Sequence, residues 1–403
     1  MRGPFNRTAC RLAVALCLAA PTAAAQAPPD SPPGTLKEAL FKAYQTSPAL
    51  QAARSNLRAT DENVPIERAD ALPSLSLTPS YSETLHDNSS RPEPTRQAGV
   101  NVSLSVPLYA GGGIRNAIRS AETRVLAGRA DLRGAESQLF SQVVGAYMDV
   151  IQNEAILGLA RNNIEVLTTN LEATKDRFRI GDLTRTDIAQ SESRLALAHG
   201  ELRSAQANLI RARENFVALV GAAPGNTLEP PPPLPGLPDD PAHAVAVALE
   251  DNPDLIAASE RAKAAGYDIR VAGAARLPRI DFISGGSYSS FLHSIPREQI
   301  ALYDNSSSSV NVGVRATIPL FQGGRASALE RQAQARASVA LENIVAVERD
   351  IIAQTRAAFA SWQASLAIIA STQTAVAAAE VSLEGVRAEN TVGTRTILDI
   401  LDA

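Results

Sequence analysis

The sequence predicts a mainly α-helical, internally duplicated protein that carries four β-strands. Three observations predict it. A glycine-turn motif, GDLTRTDI from Gly181 to Ile188, returns as GTRTILDI from Gly393 to Ile400, 393 − 181 = 212 positions later. The same offset relates Pro107 to Pro319, Gly111 to Gly323 and Gly112 to Gly324, so two long segments are copies of one unit. Between corner and turn, each copy holds a helical pattern of about 66 residues, ~100 Å at 1.5 Å per residue. Such a length belongs to extended helical assemblies and not to ordinary globular cores.

Composition narrows the class. The chain has 403 residues, 45% hydrophobic but only 4% aromatic, with formal net charge −4. Abundant alanine with few aromatics fits closely packed helices. No basic stripe with interleaved aromatics occurs, so no nucleic-acid partner is expected. Residues 1–25 read as a secretory signal: Arg2, Arg7 and Arg11, then the apolar run Leu12–Ala20, then Ala23, Ala24 and Ala25 at the cleavage site. Cys10 and Cys17 both lie inside it, and bulky Leu16 argues against lipidation of Cys17. Cleavage leaves no cysteine for disulfide or thiol chemistry. Beyond the signal no uninterrupted run of about 18 apolar residues occurs, so no transmembrane helix is expected. The product is exported, and any membrane span must be built from strands.

The first repeat is expected over 26–220. After a Pro-rich leader, Leu36, Leu40, Ala43, Leu50, Ala53 and Leu57 give a helical period, with Ser47 placed to cap a helix that begins at Pro48. After Leu72 and Pro73 the period falls to two. Leu75, Leu77 and Tyr81 alternate with serines and Thr78; further on, Val100, Val102, Leu104, Val106 and Leu108 alternate with Asn101, Ser103 and Ser105. A β-hairpin over 73–108 follows. Proline is expected to stop its ladder, and the glycines of Pro107-Leu-Tyr-Ala-Gly-Gly112 permit a sharp corner into a long helix over 113–179. That helix bears Val143, Val150, Leu157, Ile164, Leu171 and Phe178 at seven-residue spacing, a seam for supercoiled packing. Gly181 turns the chain into a return helix over 184–220.

A Pro-rich connection over 221–241 leads to the second repeat, 242–403. It holds a helix, a hairpin over 278–319 with Val310, Val312, Val314, Ala316 and Ile318 on one face, and the corner Pro319-Leu-Phe-Gln-Gly-Gly324. A long helix over 325–391 carries its own heptad, Trp362, Ile369, Val376 and Leu383, and leads to the tip turn at Gly393. The two shorter return helices together give about 72 residues, ~108 Å, nearly equal to the outgoing helix. By the repeat, a further return helix of about 35 residues belongs after Ala403, so the second repeat reads as incomplete. Strands of about ten residues with one apolar and one polar face fit a membrane barrel, or a half-buried soluble hairpin. Four strands cannot close a barrel, whose smallest kind needs about eight, so a barrel requires several chains.

Catalysis finds no support. His86, His199, His243 and His293 are scattered without paired ligand spacing, and no nucleophile motif or Walker-type Lys-Ser/Thr accompanies the glycines. No catalytic residue, metal site or cofactor is expected.

From residue 35 onward the chain resembles the TolC family of outer-membrane efflux and secretion tunnels. The duplicated strand–strand–helix unit, the two Pro-Leu-aromatic corners and the two glycine turns carry the resemblance. It implies a homotrimer in the Gram-negative outer membrane, in contact with its lipid. Three chains would form one β-barrel above a coiled-coil α-helical tunnel through the periplasm. It implies two partners, a periplasmic adaptor (membrane fusion) protein and an inner-membrane pump or ABC transporter. The conduit would pass small molecules, type I secreted protein, or both. It also assigns roles. Asp399 and Asp402 match carboxylates that ring the tunnel entrance, where threefold repetition would favour cations and raise some of their pKa values. Thr186 and Arg395 match closed-state contacts between tip helices. Asp187 matches a carboxylate that in the family bonds a tyrosine, a position held here by Asn390. Asp187 also fits a plain helix cap, and Asp399 with Asp402 a solvated face. The rival reading is a periplasmic coiled-coil adaptor or scaffold without a pore.

Overall fold

The computed structural model describes residues 32–86, 95–232, 234–295, 304–395 and 399–400; the signal reading of 1–25 lies outside them. Eight helices and four strands occur among the described residues. The N-terminal helical stretch is broken into α1 (Leu36–Thr46), α2 (Pro48–Asp61) and α3 (Asn63–Ala69). Thr35 and Glu38 form a reciprocal cap at α1, and Ser47 caps α2 ahead of Pro48 as its position predicts. Then come β1 (Ser74–Glu83), β2 (Arg96–Ala110), α4 (Gly113–Arg179) and α5 (Arg185–Val220). The second half repeats the order with α6 (Pro241–Asp251), α7 (Pro253–Ala274), β3 (Arg279–Ser290), β4 (Ser306–Thr317) and α8 (Arg325–Thr391).

The strands form one antiparallel sheet in the order β1-β2-β3-β4, so β1 and β4 are both open edges. Register sorts the side chains cleanly. Leu75, Leu77 and Tyr81 of β1 share a face with Val100, Val102, Leu104 and Val106 of β2, and with Phe282, Val310, Val312 and Val314. This apolar face is bare: Val310 is 82% exposed and Leu75 72%. The opposite face carries serine pairs across the strands, Ser76 with Ser103 at 2.6 Å and Ser287 with Ser309 at 2.8 Å. Such a sheet is inverted relative to a soluble domain, which hides its apolar side.

One register feature corrects the sequence reading. Pro107 does not stop the ladder. It pairs with Asp281, and after a bulge at Leu108 the pairing resumes as Tyr109 with Ile280 and Ala110 with Arg279. The bulge accommodates the missing proline N–H. It also shifts the alternation by one, so Tyr109 joins the apolar face that Leu108 was expected to hold. In the second copy the ladder ends at Thr317, before Pro319.

Helix α4 has 67 residues, and α5, α6 and α7 with 36, 11 and 22 residues retrace nearly its length. Ion pairs mark the course. Arg124–Asp268 and Asp131–Arg261 tie the strand-proximal part of α4 to α7, and Glu154–Arg213 and Lys175–Glu192 tie its distal part to α5. The α4 seam is packed at Val143, Val150, Leu157 and Leu171 but opens at Phe178. On α5, Leu209 and Phe216 share the seam with small residues: Ser191, Ala198, Ala205 and Ala212 are buried at seven-residue spacing. Small side chains let the helix axes approach closely, as the alanine-rich composition suggested. The α8 seam differs: Trp362, Ile369 and Val376 are exposed, because α8 packs mainly on α6 and α7 among the described residues.

One helix comes near a membrane span in composition without an uninterrupted apolar run. An 18-residue window of α8 reaches mean hydropathy 1.4, enough by length and composition for a membrane helix. Alanine, isoleucine and valine raise that mean while Ser and Thr interrupt the run. At 67 residues, α8 far exceeds the roughly 20 needed to span a bilayer.

The core gathers at the waist, where α1, α4, α5 and the Pro-rich connection meet around Tyr147 and Phe216, both fully buried. The Tyr147 hydroxyl lies 3.0 Å from the Gly34 carbonyl and 2.7 Å from that of Glu229. Its one proton is therefore shared between the leader and the connection. Those two strips also bond each other, Gly225 N–H to Pro33 and Glu229 N–H to Gly34. Tyr147→Phe keeps the ring packing but takes the hydroxyl from the Glu229 carbonyl and leaves the Gly34 carbonyl with the Glu229 N–H alone, so it is expected to cost about 1–2 kcal/mol. Thermal unfolding followed by circular dichroism measures this, and an unchanged midpoint would refute the clamp.

Candidate functional site

The far end of the molecule is built twice on one plan. Helix α4 ends with Gly181 at φ 85°, and α8 with Gly393 at φ 82°. This left-handed conformation is one that glycine adopts without a Cβ penalty. Gly181 N–H donates to the Phe178 carbonyl and Asp182 N–H to Arg177; Gly393 N–H donates to Asn390 and Thr394 N–H to Glu389. Each pair of bonds is a Schellman motif, which satisfies the last carbonyls of a helix and reverses the chain.

Beyond the first turn, Asp187 reaches back to the start of α5. Its carboxylate accepts the Thr184 backbone N–H and the Thr184 hydroxyl, both at 2.8 Å. The backbone N–H, and then the hydroxyl, favour the charged carboxylate and hold its pKa below the usual Asp range. Thr186 is exposed on the first turn of the same helix. Beyond the second turn, the Asn390 side-chain amide donates to the Arg395 carbonyl at 2.8 Å. Arg395 in turn holds Glu389 at 3.0 Å and faces Asp399 at 3.9 Å. Asp399 is half-buried in a helical segment, and Asp402 lies outside the described residues. Within the protomer, Asp187 and Asn390 are thus each satisfied locally and not by one another. Glu389 went unnoticed in the sequence; its acid, six positions before Arg395 across a glycine turn, is a signal only once the turn geometry is known.

A lowered carboxylate pKa sets a sign. Because the folded-state value of Asp187 lies below the unfolded one, the cap contributes fully above the ordinary Asp range and fades as pH falls through the lowered value. Amide hydrogen exchange at Thr184, corrected for intrinsic rates, should keep its protection from pH 7 to pH 5 and lose it only below about 4. Loss of protection already between pH 6 and 5 would contradict this cap.

At the other end, the predicted corners hold both glycine pairs at positive φ: Gly111 at 61°, Gly112 at 77°, Gly323 at 57° and Gly324 at 80°. The first pair turns β2 at once into α4, and the second opens α8 after a short link from the end of β4 at Thr317. No group of His, Cys, Asp and Glu able to hold a metal occurs among the described residues.

A four-stranded sheet, bare on its apolar side and open at both edges among the described residues, joined through two corners to two helices of 67 residues, is the chain fold of an outer-membrane channel protein. The chain belongs to the outer membrane efflux protein family, whose model matches residues 39–222 and 244–403. The resemblance to the TolC family is thereby confirmed. The outer membrane efflux protein BepC of Brucella suis biovar 1 is 33% identical over 370 residues, 92% of this chain and 78% of BepC. Among solved structures, CusC matches with TM-score 0.77 at 20% identity, over 91% of this chain and 84% of its own. The outer membrane protein VceC of Vibrio cholerae matches with TM-score 0.75 at 23% identity, over 91% and 88%. These two likenesses establish the fold of the chain.

Proposed function

We propose that this protein is the outer-membrane channel-tunnel of a tripartite export system, a passive conduit that works with a periplasmic adaptor and an inner-membrane pump or ABC transporter. Three copies assemble, each giving its four strands to one barrel and its long helices to one coiled-coil tunnel. The observation that carries this reading is the sheet. Its apolar side is exposed, its polar side is laddered with serine, and the outer edges of β1 and β4 are open among the described residues. Hydrocarbon tolerates backbone only when every polar group is bonded, so unpaired edges must meet another copy. The apolar face then meets lipid and the serine face lines water. At the tip, Asp399 and Asp402 repeat around the threefold axis and bias the constriction toward cations, while Arg395 beside Asp399 moderates that bias. Thr186, Asp187 and Asn390 lie at the same turns, where contacts between neighbouring copies gate the entrance.

Planar-bilayer conductance of the purified protein tests the reading, comparing wild type with Asp399→Ala/Asp402→Ala. The expected result is small cation-selective currents in the wild type and lost selectivity in the variant. No pore in protein that is trimeric and membrane-inserted would return the poreless adaptor or scaffold to first place.

A further inference from the structure

Where β2 turns into α4, a groove of about 660 Å³ opens beside Tyr109 and runs onto the first turns of the helix. Its apolar wall, Tyr109 with Ile114 and Ile118, continues the apolar face of the sheet, because the bulge has placed Tyr109 on that face. Arg115 and Arg119 stand along it one helical turn apart, both exposed. Among the described residues neither guanidinium has a hydrogen bond or ion pair. The carboxylate that lines the groove, Glu122, is already held by Arg68 at 2.6 Å, so the two arginines remain uncompensated.

The internal duplication supplies a control. At the matching corner, 212 positions on, Tyr109 becomes Phe321, which keeps an aromatic ring at the foot of the sheet. Ile114, Arg115 and Ile118 become Ala326, Ser327 and Glu330, and Glu330 is paired with Arg276. The corner fold therefore needs neither the arginine pair nor the isoleucine wall, and both are confined to the first copy.

We propose that this groove binds one anionic phospholipid per chain. Its acyl chain lies along the apolar face that ends at Tyr109, and its phosphate sits between Arg115 and Arg119. Planar guanidiniums match phosphate oxygens in pairs, and an aromatic ring suits the level where lipid chain gives way to headgroup. The inference rests on the membrane-barrel reading of the sheet. It adds a lipid headgroup site on the helical side of the corner.

Native mass spectrometry of the full chain, released from vesicles of phosphatidylglycerol mixed with phosphatidylcholine, tests it. Wild type should retain phosphatidylglycerol preferentially. Arg115→Gln/Arg119→Gln should lose that preference, by roughly fivefold for each arginine and ~25-fold for the pair. Arg331→Gln, the second-copy counterpart of the Arg119 change, should leave it unaltered. An inserted, trimeric double variant with the wild-type preference would overturn the site. Displacement of the lipid by millimolar inorganic phosphate would reassign the groove to free anions and overturn it equally. A wild type that never enters the vesicles would refute the channel reading itself, and this inference with it.

Discussion

Gly111→Ala should be the most damaging single-methyl change in the protein. A Cβ at this position would stand 2.7 Å from the Leu277 Cβ and 3.2 Å from the Ala274 carbonyl. The first is closer than real Cβ atoms come, and a backbone oxygen cannot rotate aside. The backbone is also at φ 61°, where an L side chain costs ~1–2 kcal/mol. Overpacking adds about 1–3 kcal/mol, for an expected total of ~2–5 kcal/mol. The duplicate corner isolates the two causes. Gly323 has nearly the same φ, 57°, but nothing among the described residues within 4 Å of its Cβ position. Gly323→Ala should therefore cost only the conformational ~1–2 kcal/mol. Thermal midpoints of the two purified variants give the comparison. Equal midpoints would mean that the approach of Leu277 to the corner has been misread.

Gly111 also illustrates what a sequence can and cannot announce. The need for glycine at the corner was legible from the repeated Gly-Gly after Pro-Leu-aromatic. The reason that the first copy is less tolerant than the second was not, since it lies at Leu277, just past the end of α7 and 277 − 111 = 166 positions away. The same division runs through the whole molecule. Period-two alternation placed Val100, Val102, Leu104 and Val106 on one face, and seven-residue spacing placed Val143 and Val150 in a seam, because both signals are local. The bulge at Leu108 broke the alternation silently. A one-residue slip leaves no compositional mark, and an apolar Leu108 looks as suitable for the apolar face as Tyr109 does. Tyr147 was invisible as a clamp because its partners, Gly34 and Glu229, lie 113 and 82 positions away and offer only backbone carbonyls. At the tip, the turns were readable from Gly181 and Gly393. The pairing of Arg395 with Glu389 was not, because a chain reversal had to bring them together first.

The sheet supports the other large effect, and it tests the membrane reading directly. Val102 sits midway along β2 on the apolar face, opposite Leu77 and Gly286. Its neighbour Asn101 points to the serine face, opposite Thr78 and Ser287. If the apolar face meets hydrocarbon, Val102→Arg places a charge near the bilayer midplane and is expected to cost about 2–4 kcal/mol. Ala98→Arg lies on the same face, four residues nearer the end of the strand and close to Arg96; it should cost only ~0–1 kcal/mol. Asn101→Arg adds the same charge to the water-lined side and should be tolerated at midplane depth. Folding yield in phospholipid vesicles, read as the protease-protected trimer, separates the three. The barrel reading requires that the penalty depend both on the face and on the depth along the strand. A soluble scaffold, whose sheet stands in water, would show no such gradient between Ala98 and Val102. Equal yields for Val102→Arg and Asn101→Arg would remove lipid from the apolar face, and with it the reason for three chains to share their open edges.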